Sequence, residues 1–152
     1  MALQLHPTEE NSYKSDRRLI SSKAGKATLK VGVAKVVELT SLDETYKVVF
    51  EDDGQTGYFY ALDIRKTENP IIDAMHIYDV ESVADRKEPS QIHILWSPDG
   101  LNAGLWINSY VHAIYNFENN TGCCRTGFGP MSSEDRRYEW NDEAIGPFVA
   151  KE

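Results

Sequence analysis

Hydrophobic and polar residues alternate most regularly between positions 46 and 63, where the sequence reads YKVVFEDDGQTGYFYALD. A period of two is typical of β-strands, and Asp53-Gly54 is a pair that favours a two-residue hairpin turn with positive φ at both positions. Such a turn would place Phe50 opposite Gly57, so that an aromatic ring covers a strand glycine. The pattern therefore predicts a β-hairpin centred on Asp53-Gly54.

The two faces of this hairpin differ in polarity, because successive side chains of a strand point to opposite sides. The apolar face, which is expected to join the core, holds Tyr46, Val48, Phe50, Phe59 and Ala61. The amphipathic face, which can meet water, holds Lys47, Val49, Glu51, Thr56, Tyr58 and Tyr60.

A second hairpin is predicted over residues 91–107, which read QIHILWSPDGLNAGLWI. Residues 97–100 fit a type I turn, with proline at the second position and glycine at the last. If Trp96 lies opposite Leu101, the most apolar side chains share one face, whereas His93 and Trp106 lie on the other.

The remaining sequence predicts shorter elements joined by turns. The valine-rich residues 28–40 predict a strand whose phase slips at Val36-Val37, which indicates a bulge. Further strands are predicted at 71–80, 110–117 and 123–128, and a capping-box pattern predicts a short helix over 132–140.

Five or more strands joined by short turns are typical of a mainly β protein. We expect an antiparallel meander of hairpins that forms a curled sheet or partly open barrel, with one or two short helices that bring it to the margin of the α+β class. Residues 1–27 are polar and weakly periodic. They predict a flexible basic N-terminal arm, followed by a single β-rich domain over 28–152.

Composition is that of a globular protein, with 41% hydrophobic and 11% aromatic residues. No apolar run approaches the roughly 18 residues that a membrane helix needs, so no interaction with a membrane is expected. The N-terminus lacks the apolar segment of a signal peptide. We therefore expect a cytoplasmic protein.

Charge is distributed unevenly along the chain. The net charge is −8, yet residues 1–36 contain seven Lys or Arg and three Asp or Glu and so carry +4. The rest of the chain must therefore carry −12. Because an acidic surface repels phosphate backbones, the sequence argues against nucleic-acid binding and favours a basic protein partner.

Cysteines and histidines are the natural candidates for soft ligands. Cys123 and Cys124 are adjacent, and neighbouring Cα atoms lie about 3.8 Å apart, below the usual disulfide range, so both are expected to be reduced. His76, His93 and His112 fall on three predicted strands, and a zinc site between them is one interpretation. Isolated strand histidines are more often structural, so no metal or cofactor is expected.

The sequence contains no nucleophile elbow, phosphate-binding glycine loop or paired metal-ligand motif, and we therefore expect no enzymatic activity. Aromatic residues surrounded by acids are instead typical of protein-binding surfaces. The candidate partner-binding residues are Glu51, Asp52, Tyr58, Tyr60, Asp63 and Trp106.

Four segments between residues 48 and 128 stand out together: EDDGQTGYFYALD, DAMHIYDV, ILWSPDGLNAGLWINSYVHAIYNF and CCRTGF. These segments resemble a family of small bacterial proteins known only as a domain of unknown function. The resemblance implies no known activity or catalytic residues. The family is similar to the class of compact acidic domains found among immunity proteins against interbacterial toxins.

The leading hypothesis is therefore a non-enzymatic cytoplasmic antitoxin, an immunity-type protein that occupies the basic groove of a nuclease-like toxin. The second hypothesis is a small-molecule-binding or hydrolytic β-domain with a pocket near His76, Tyr78, His93 and Trp106. The third hypothesis is a structural subunit. A convergent polar cluster inside a barrel would favour the second hypothesis.

Overall fold

A computed structural model describes residues 3–7, 18–126 and 139–150 of the chain. Nine strands within these ranges form two antiparallel sheets. The strands are β1 (Lys23–Leu29), β2 (Lys35–Thr40), β3 (Tyr46–Asp52), β4 (Thr56–Asp63), β5 (Ile71–Asp79), β6 (Ser90–Trp96), β7 (Asn102–Ile107), β8 (Tyr110–Asn116) and β9 (Thr121–Cys124). One sheet has the order β1-β6-β7-β8-β9 and the other the order β2-β3-β4-β5. The prediction of a mainly β, antiparallel fold is confirmed.

The inner faces of the two sheets share one hydrophobic core. Phe50 and Phe59 of the four-stranded sheet and Trp96 and Tyr115 of the five-stranded sheet are each at most 1% exposed, and they belong to one cluster. Trp96 Nε1 also donates a hydrogen bond to the carbonyl oxygen of Leu39 on the facing sheet, at 3.1 Å. Burying a large apolar side chain contributes about 1.5–3 kcal/mol, so this core holds the two sheets together.

The β3–β4 hairpin has the predicted faces but a different register. The backbone N–H of Asp53 donates to the carbonyl of Thr56 at 3.1 Å. The central turn residues are therefore Gly54 and Gln55, rather than Asp53 and Gly54. The pairing moves by two residues, and a shift of two keeps every side chain on its own face.

The same shift changes the aromatic partner of the strand glycine. Phe50 pairs with Phe59, whereas Gly57 pairs with Tyr78 of β5. A Cβ atom at Gly57 would lie 2.7 Å from the Tyr78 ring. An aromatic ring does cover this glycine, as the sequence predicts, but Phe50 is the wrong partner.

The β6–β7 hairpin shows the same kind of shift. In the turn at 97–100, the N–H of the last residue donates to the carbonyl of the first at 2.9 Å, as a type I turn requires. Trp96, however, pairs with Ala103 rather than Leu101. The faces are again preserved because the shift is two residues.

The chain passes from one sheet to the other at Gly32, which has a φ of +89°. The N–H of Val33 donates to the carbonyl of Lys30 at 3.0 Å and closes a turn there. The prediction of one bulged strand over 28–40 is therefore wrong, since β1 and β2 lie in different sheets. Residues 23–27, which the sequence pattern assigns to the arm, belong to β1.

Other parts of the N-terminal segment also contact the domain. The N–H of Leu3 donates to the carbonyl of Ser82 at 2.7 Å, and the N–H of Ile20 donates to that of Phe148 at 2.8 Å. Leu5 is 2% exposed and belongs to the main core. Residues 8–17 of the expected arm lie outside the described residues.

Two short 3₁₀ helices, Val80–Ser82 and Asp142–Phe148, lie within the described residues. Neither of them is long and apolar enough to cross a membrane. The helix predicted over 132–140 and the end of the strand predicted over 123–128 fall largely on residues 127–138, which lie outside the described part of the chain.

Candidate functional site

The outer face of the four-stranded sheet carries two rows of side chains that run across the strands. From β2 to β5, the first row is Val36, Glu51, Tyr58 and His76, and the second is Glu38, Val49, Tyr60 and Ala74. We define the outer tyrosine face by six of these residues, Val36, Val49, Glu51, Tyr58, Tyr60 and His76.

Two tyrosine rings lie side by side at the centre of this face, because Tyr58 and Tyr60 are two residues apart on β4. Their centroids are 5.8 Å apart and their planes differ by 29°. The hydroxyl of Tyr60 donates to Glu51 Oε1 at 3.4 Å, and His76 meets the Tyr58 ring edge-on, with centroids 5.8 Å apart. The face is therefore a continuous aromatic surface with a carboxylate beside it.

The environment of Tyr60 keeps its phenol neutral. Partial burial, and next the Glu51 carboxylate, raise the pKa of Tyr60 above its usual value. At the edge of the face, His76 Nε2 lies 3.0 Å from Asp79 Oδ1. The surface thus presents hydroxyl and carboxylate oxygens, which are groups that accept hydrogen bonds from Lys and Arg side chains.

In the described part of the chain, most side chains of the outer tyrosine face keep accessible surface, although the His76 side chain is only 12% exposed. Val36 is 57% exposed, and Tyr58 and Tyr60 are only partly buried. The five-stranded sheet differs, because Ile145 and Phe148 pack on its outer face in a separate apolar cluster. Aromatic and aliphatic side chains left open to solvent on a sheet face are typical of an interaction site.

Three of the six predicted partner-binding residues, Glu51, Tyr58 and Tyr60, lie together on this face. Val36, Val49 and His76 complete it, and none of these three is among the partner-binding residues that the sequence predicts. These three residues could be identified from the alternation of side chains in β2, β3 and β5, together with the order of the strands in the sheet. That order is a tertiary property, so the cluster becomes visible only in the structure.

Asp52 is buried rather than exposed, with 1% of its surface accessible. Its Oδ2 accepts from the hydroxyl of Tyr78 at 2.6 Å and from the N–H of Gly32 at 2.8 Å. Its Oδ1 accepts from the N–H of Gly54 at 2.8 Å. Asp52 shares the inward phase of Val48 and Phe50, and this phase is the sequence signal that places it inside. It therefore cannot belong to the binding surface.

Asp63 also faces inward, and it is 8% exposed. Its carboxylate receives two hydrogen bonds from the Arg65 guanidinium, each 2.9 Å long. These hydrogen bonds lower the pKa of Asp63 below its usual value. Asp63 is thus paired with Arg65 of the same chain, and it lies on the opposite side of β4 from the tyrosines.

Trp106 lies on the outer face of the five-stranded sheet, as predicted, but it is only 5% exposed. Phe148 meets its ring edge-on, with centroids 5.3 Å apart. The C-terminal 3₁₀ helix therefore covers the tryptophan, and Trp106 is not a surface anchor.

The three strand histidines lie in different environments. His76 is on the four-stranded sheet, whereas His93 and His112 are on the five-stranded sheet. His112 is 3% exposed, and burial together with the nearby Arg125 lowers its pKa to about 3. His93 pairs with Trp106. The histidines thus have separate structural surroundings, and the zinc interpretation gains no support from their placement.

Both cysteines are buried, and neither of them forms a disulfide bond. Burial raises the pKa of the Cys123 thiol, which disfavours the reactive thiolate. The expectation that both cysteines are reduced stays a prediction.

Comparison with known proteins gives the family of the chain. An uncharacterised protein of Haemophilus influenzae (strain ATCC 51907 / DSM 11121 / KW20 / Rd) is 46% identical over 79 residues, which cover 52% of this chain and 49% of that protein. The chain thus spans about half the length of this relative. No solved structure matches the present chain. The model of DUF2251, an uncharacterised protein conserved in bacteria, matches residues 29–149, and the chain belongs to this family.

Proposed function

We propose that this protein binds a basic protein partner through the outer tyrosine face and catalyses no reaction. The observation that carries the proposal is the pair of accessible tyrosine rings, Tyr58 and Tyr60, with Glu51 bonded beside them. In its specific form, the protein is a cytoplasmic immunity-type protein that blocks a nuclease-like bacterial toxin.

Charge supports a basic partner. Residues 37–152 carry a net charge of −12, and Glu38, Glu51, Asp53 and Asp79 lie on or around the outer tyrosine face. Opposite charge on a partner raises its association rate at low salt and favours one orientation of encounter. A nucleic-acid-binding groove has the required basic character.

Affinity would come from the aromatic residues rather than from the acids. Exposed charge pairs contribute roughly 0–1 kcal/mol, whereas a tyrosine or tryptophan buried at the centre of an interface can contribute about 2 kcal/mol or more. Tyr58 and Tyr60 are already ordered by their strand and by each other. Little conformational entropy is then lost when a partner covers them.

The experiment is affinity capture from native bacterial lysate with the wild-type chain and with Tyr58→Ala/Tyr60→Ala. Leu42→Ala is the matched control, because Leu42 is a 68% exposed apolar residue in a turn outside this face. We expect a basic protein that the wild type and the control retain and the double variant loses. Equal retention by all three proteins, or capture of an acidic protein only, would contradict the proposal.

A second candidate function rests on a cavity of about 310 Å³ on the outer side of the five-stranded sheet. His93 and Trp106 line it together with Leu19, Leu95, Ser21 and Ser109. His76 and Tyr78, which the pocket hypothesis includes, do not line this cavity. It suits a small apolar molecule with one polar atom near His93, and a ligand that raises the melting temperature of the wild type but not of His93→Ala would support this candidate.

A further inference from the structure

Three ligand-type side chains meet where the N-terminal segment contacts the loop after the Val80–Ser82 helix. The ligand atoms of His6, Asp85 and Glu88 all lie within 4.8 Å of one another. His6 Nδ1 is 2.8 Å from Asp85 Oδ2 and 3.9 Å from Glu88 Oε2. Because zinc–nitrogen and zinc–oxygen bonds are about 2.0–2.2 Å long, one ion can contact all three groups after small side-chain movements.

The imidazole is oriented from its opposite side by a group outside this cluster. His6 Nε2 lies 2.9 Å from the carbonyl oxygen of Pro89 and donates to it. A metal-binding histidine commonly donates its second N–H to a backbone carbonyl in this way, which fixes the tautomer and aims the other nitrogen at the metal. Here it aims Nδ1 at the two carboxylates.

The Asp85 carboxylate is also held in place. Its Oδ1 accepts from the N–H of Leu5 at 3.0 Å, and its Oδ2 accepts from the N–H of His6 at 2.8 Å. The Glu88 side chain is 69% exposed, so it can turn toward an ion without disturbing the core. The arrangement combines two positioned ligands with one adjustable ligand.

We propose that His6, Asp85 and Glu88 bind a divalent first-row transition metal ion, with Zn²⁺ as the representative, and that water completes its coordination. One imidazole nitrogen with two carboxylate oxygens suits this class of ion, whereas Mg²⁺ and Ca²⁺ prefer oxygen ligands alone. When the ion binds, the proton that Nδ1 donates to Asp85 leaves to solvent, and the nitrogen lone pair takes the metal.

The bound ion joins two parts of the chain that are distant in sequence. Seventy-nine positions separate His6 from Asp85, so no local motif announces the site. The ion therefore fastens residues 3–7 to the loop at 84–89. The site uses no residue of the outer tyrosine face and is independent of the proposed function.

The test is calorimetric titration of the full chain, without a histidine tag and freed of metal, with Zn²⁺, Mg²⁺ and Ca²⁺. We expect one Zn²⁺ per chain, and affinity reduced about tenfold or more in Glu88→Gln and in His6→Gln, as loss of a ligand predicts. Glu118→Gln is the matched control for an exposed acid, and His93→Gln is the control for a histidine elsewhere. Both controls should bind as the wild type does.

Hydrogen exchange provides a second readout at the site itself. At a Zn²⁺ concentration that saturates the wild type but not Glu88→Gln, the ion should slow exchange of the Leu5 and His6 amides, which donate to the Asp85 carboxylate, more in the wild type than in the variant. A zinc affinity that is unchanged in Glu88→Gln and in His6→Gln, an equal affinity for Mg²⁺, or the absence of zinc binding to the wild type would each overturn the proposal.

Discussion

The phenolic oxygen of Tyr78 lies 2.6 Å from the Asp52 carboxylate, and each of these two side chains is 1% exposed. Asp52 also accepts hydrogen bonds from the backbone N–H groups of Gly32 and Gly54. One buried carboxylate therefore connects β5, the turn between the two sheets and the tip of the β3–β4 hairpin. Burial, followed by the hydrogen bond to Asp52, raises the pKa of Tyr78 far above its usual value.

Tyr78→Phe should destabilise the fold, because it removes the phenol from a buried charged acceptor. A hydrogen bond to a charged group contributes about 1.5–3 kcal/mol, and we expect a loss of this size in the free energy of unfolding measured with urea. Tyr58→Phe is the control, because it removes a hydroxyl from the half-exposed outer face. Equal effects of the two changes would show that the Asp52 contact is unimportant for stability.

Gly54→Val should lower the free energy of unfolding by about 1–3 kcal/mol, because a β-branched residue is strained at positive φ. Gly54 has a φ of +98°. Gly146→Ala is the matched change, since a Cβ there would enter open space. Urea unfolding of both variants decides the matter, and an undiminished stability of Gly54→Val would rule out the turn geometry described here.

The hairpins show how much of the fold the sequence predicts. Alternation placed Val48, Phe50 and Phe59 correctly in the core, because the side-chain period is a local property. The predicted pairing was wrong by two residues in both hairpins, because a shift of two residues leaves the faces unchanged and so does not conflict with the alternation. In the first hairpin, Asp53-Gly54 can also occupy more than one position in a turn. Register thus depended on contacts that the pattern does not contain.

The candidate site was only partly predictable for related reasons. Tyr58 and Tyr60 were identified because alternation alone puts them on the polar face of β4. Trp106 was misjudged because the segment that covers it is more than thirty positions away. β1 was missed because its lysine, alanine, glycine and threonine residues give a weak strand signal, and the opposite sheet supplies the burial of its small residues.

Trp106→Ala should affect stability rather than partner binding. Truncating a buried tryptophan costs about 3–5 kcal/mol, and the loss should appear in urea unfolding. It should also expose the segment around Phe148 to limited proteolysis, because the two rings pack together. Val36→Ala, at a 57% exposed position, should change stability by only about 0.5 kcal/mol. A fully stable Trp106→Ala would contradict the described packing.

The lowered pKa of His112 leads us to expect that the folded state loses stability in acid. Its pKa is about 3 in the folded chain, whereas an unfolded histidine titrates near 6.5. Between these values the unfolded state binds the additional proton, so stability falls as pH falls, by about 1.4 kcal/mol per pH unit. The measurement is urea unfolding from pH 7 to about 4.5 for the wild type and His112→Gln. The variant should show a smaller slope, and identical slopes would exclude His112 as the cause.

Binding kinetics measured from low to high salt decide whether the outer tyrosine face captures a basic protein. The captured partner should associate with the wild type faster as salt falls, by about tenfold or more. Glu51→Gln should weaken this salt dependence, and Tyr58→Ala should mainly speed dissociation, by about 30-fold for an anchor of about 2 kcal/mol. An association rate indifferent to salt, with both variants binding as the wild type does, would show that the outer tyrosine face is not the binding site for a basic protein.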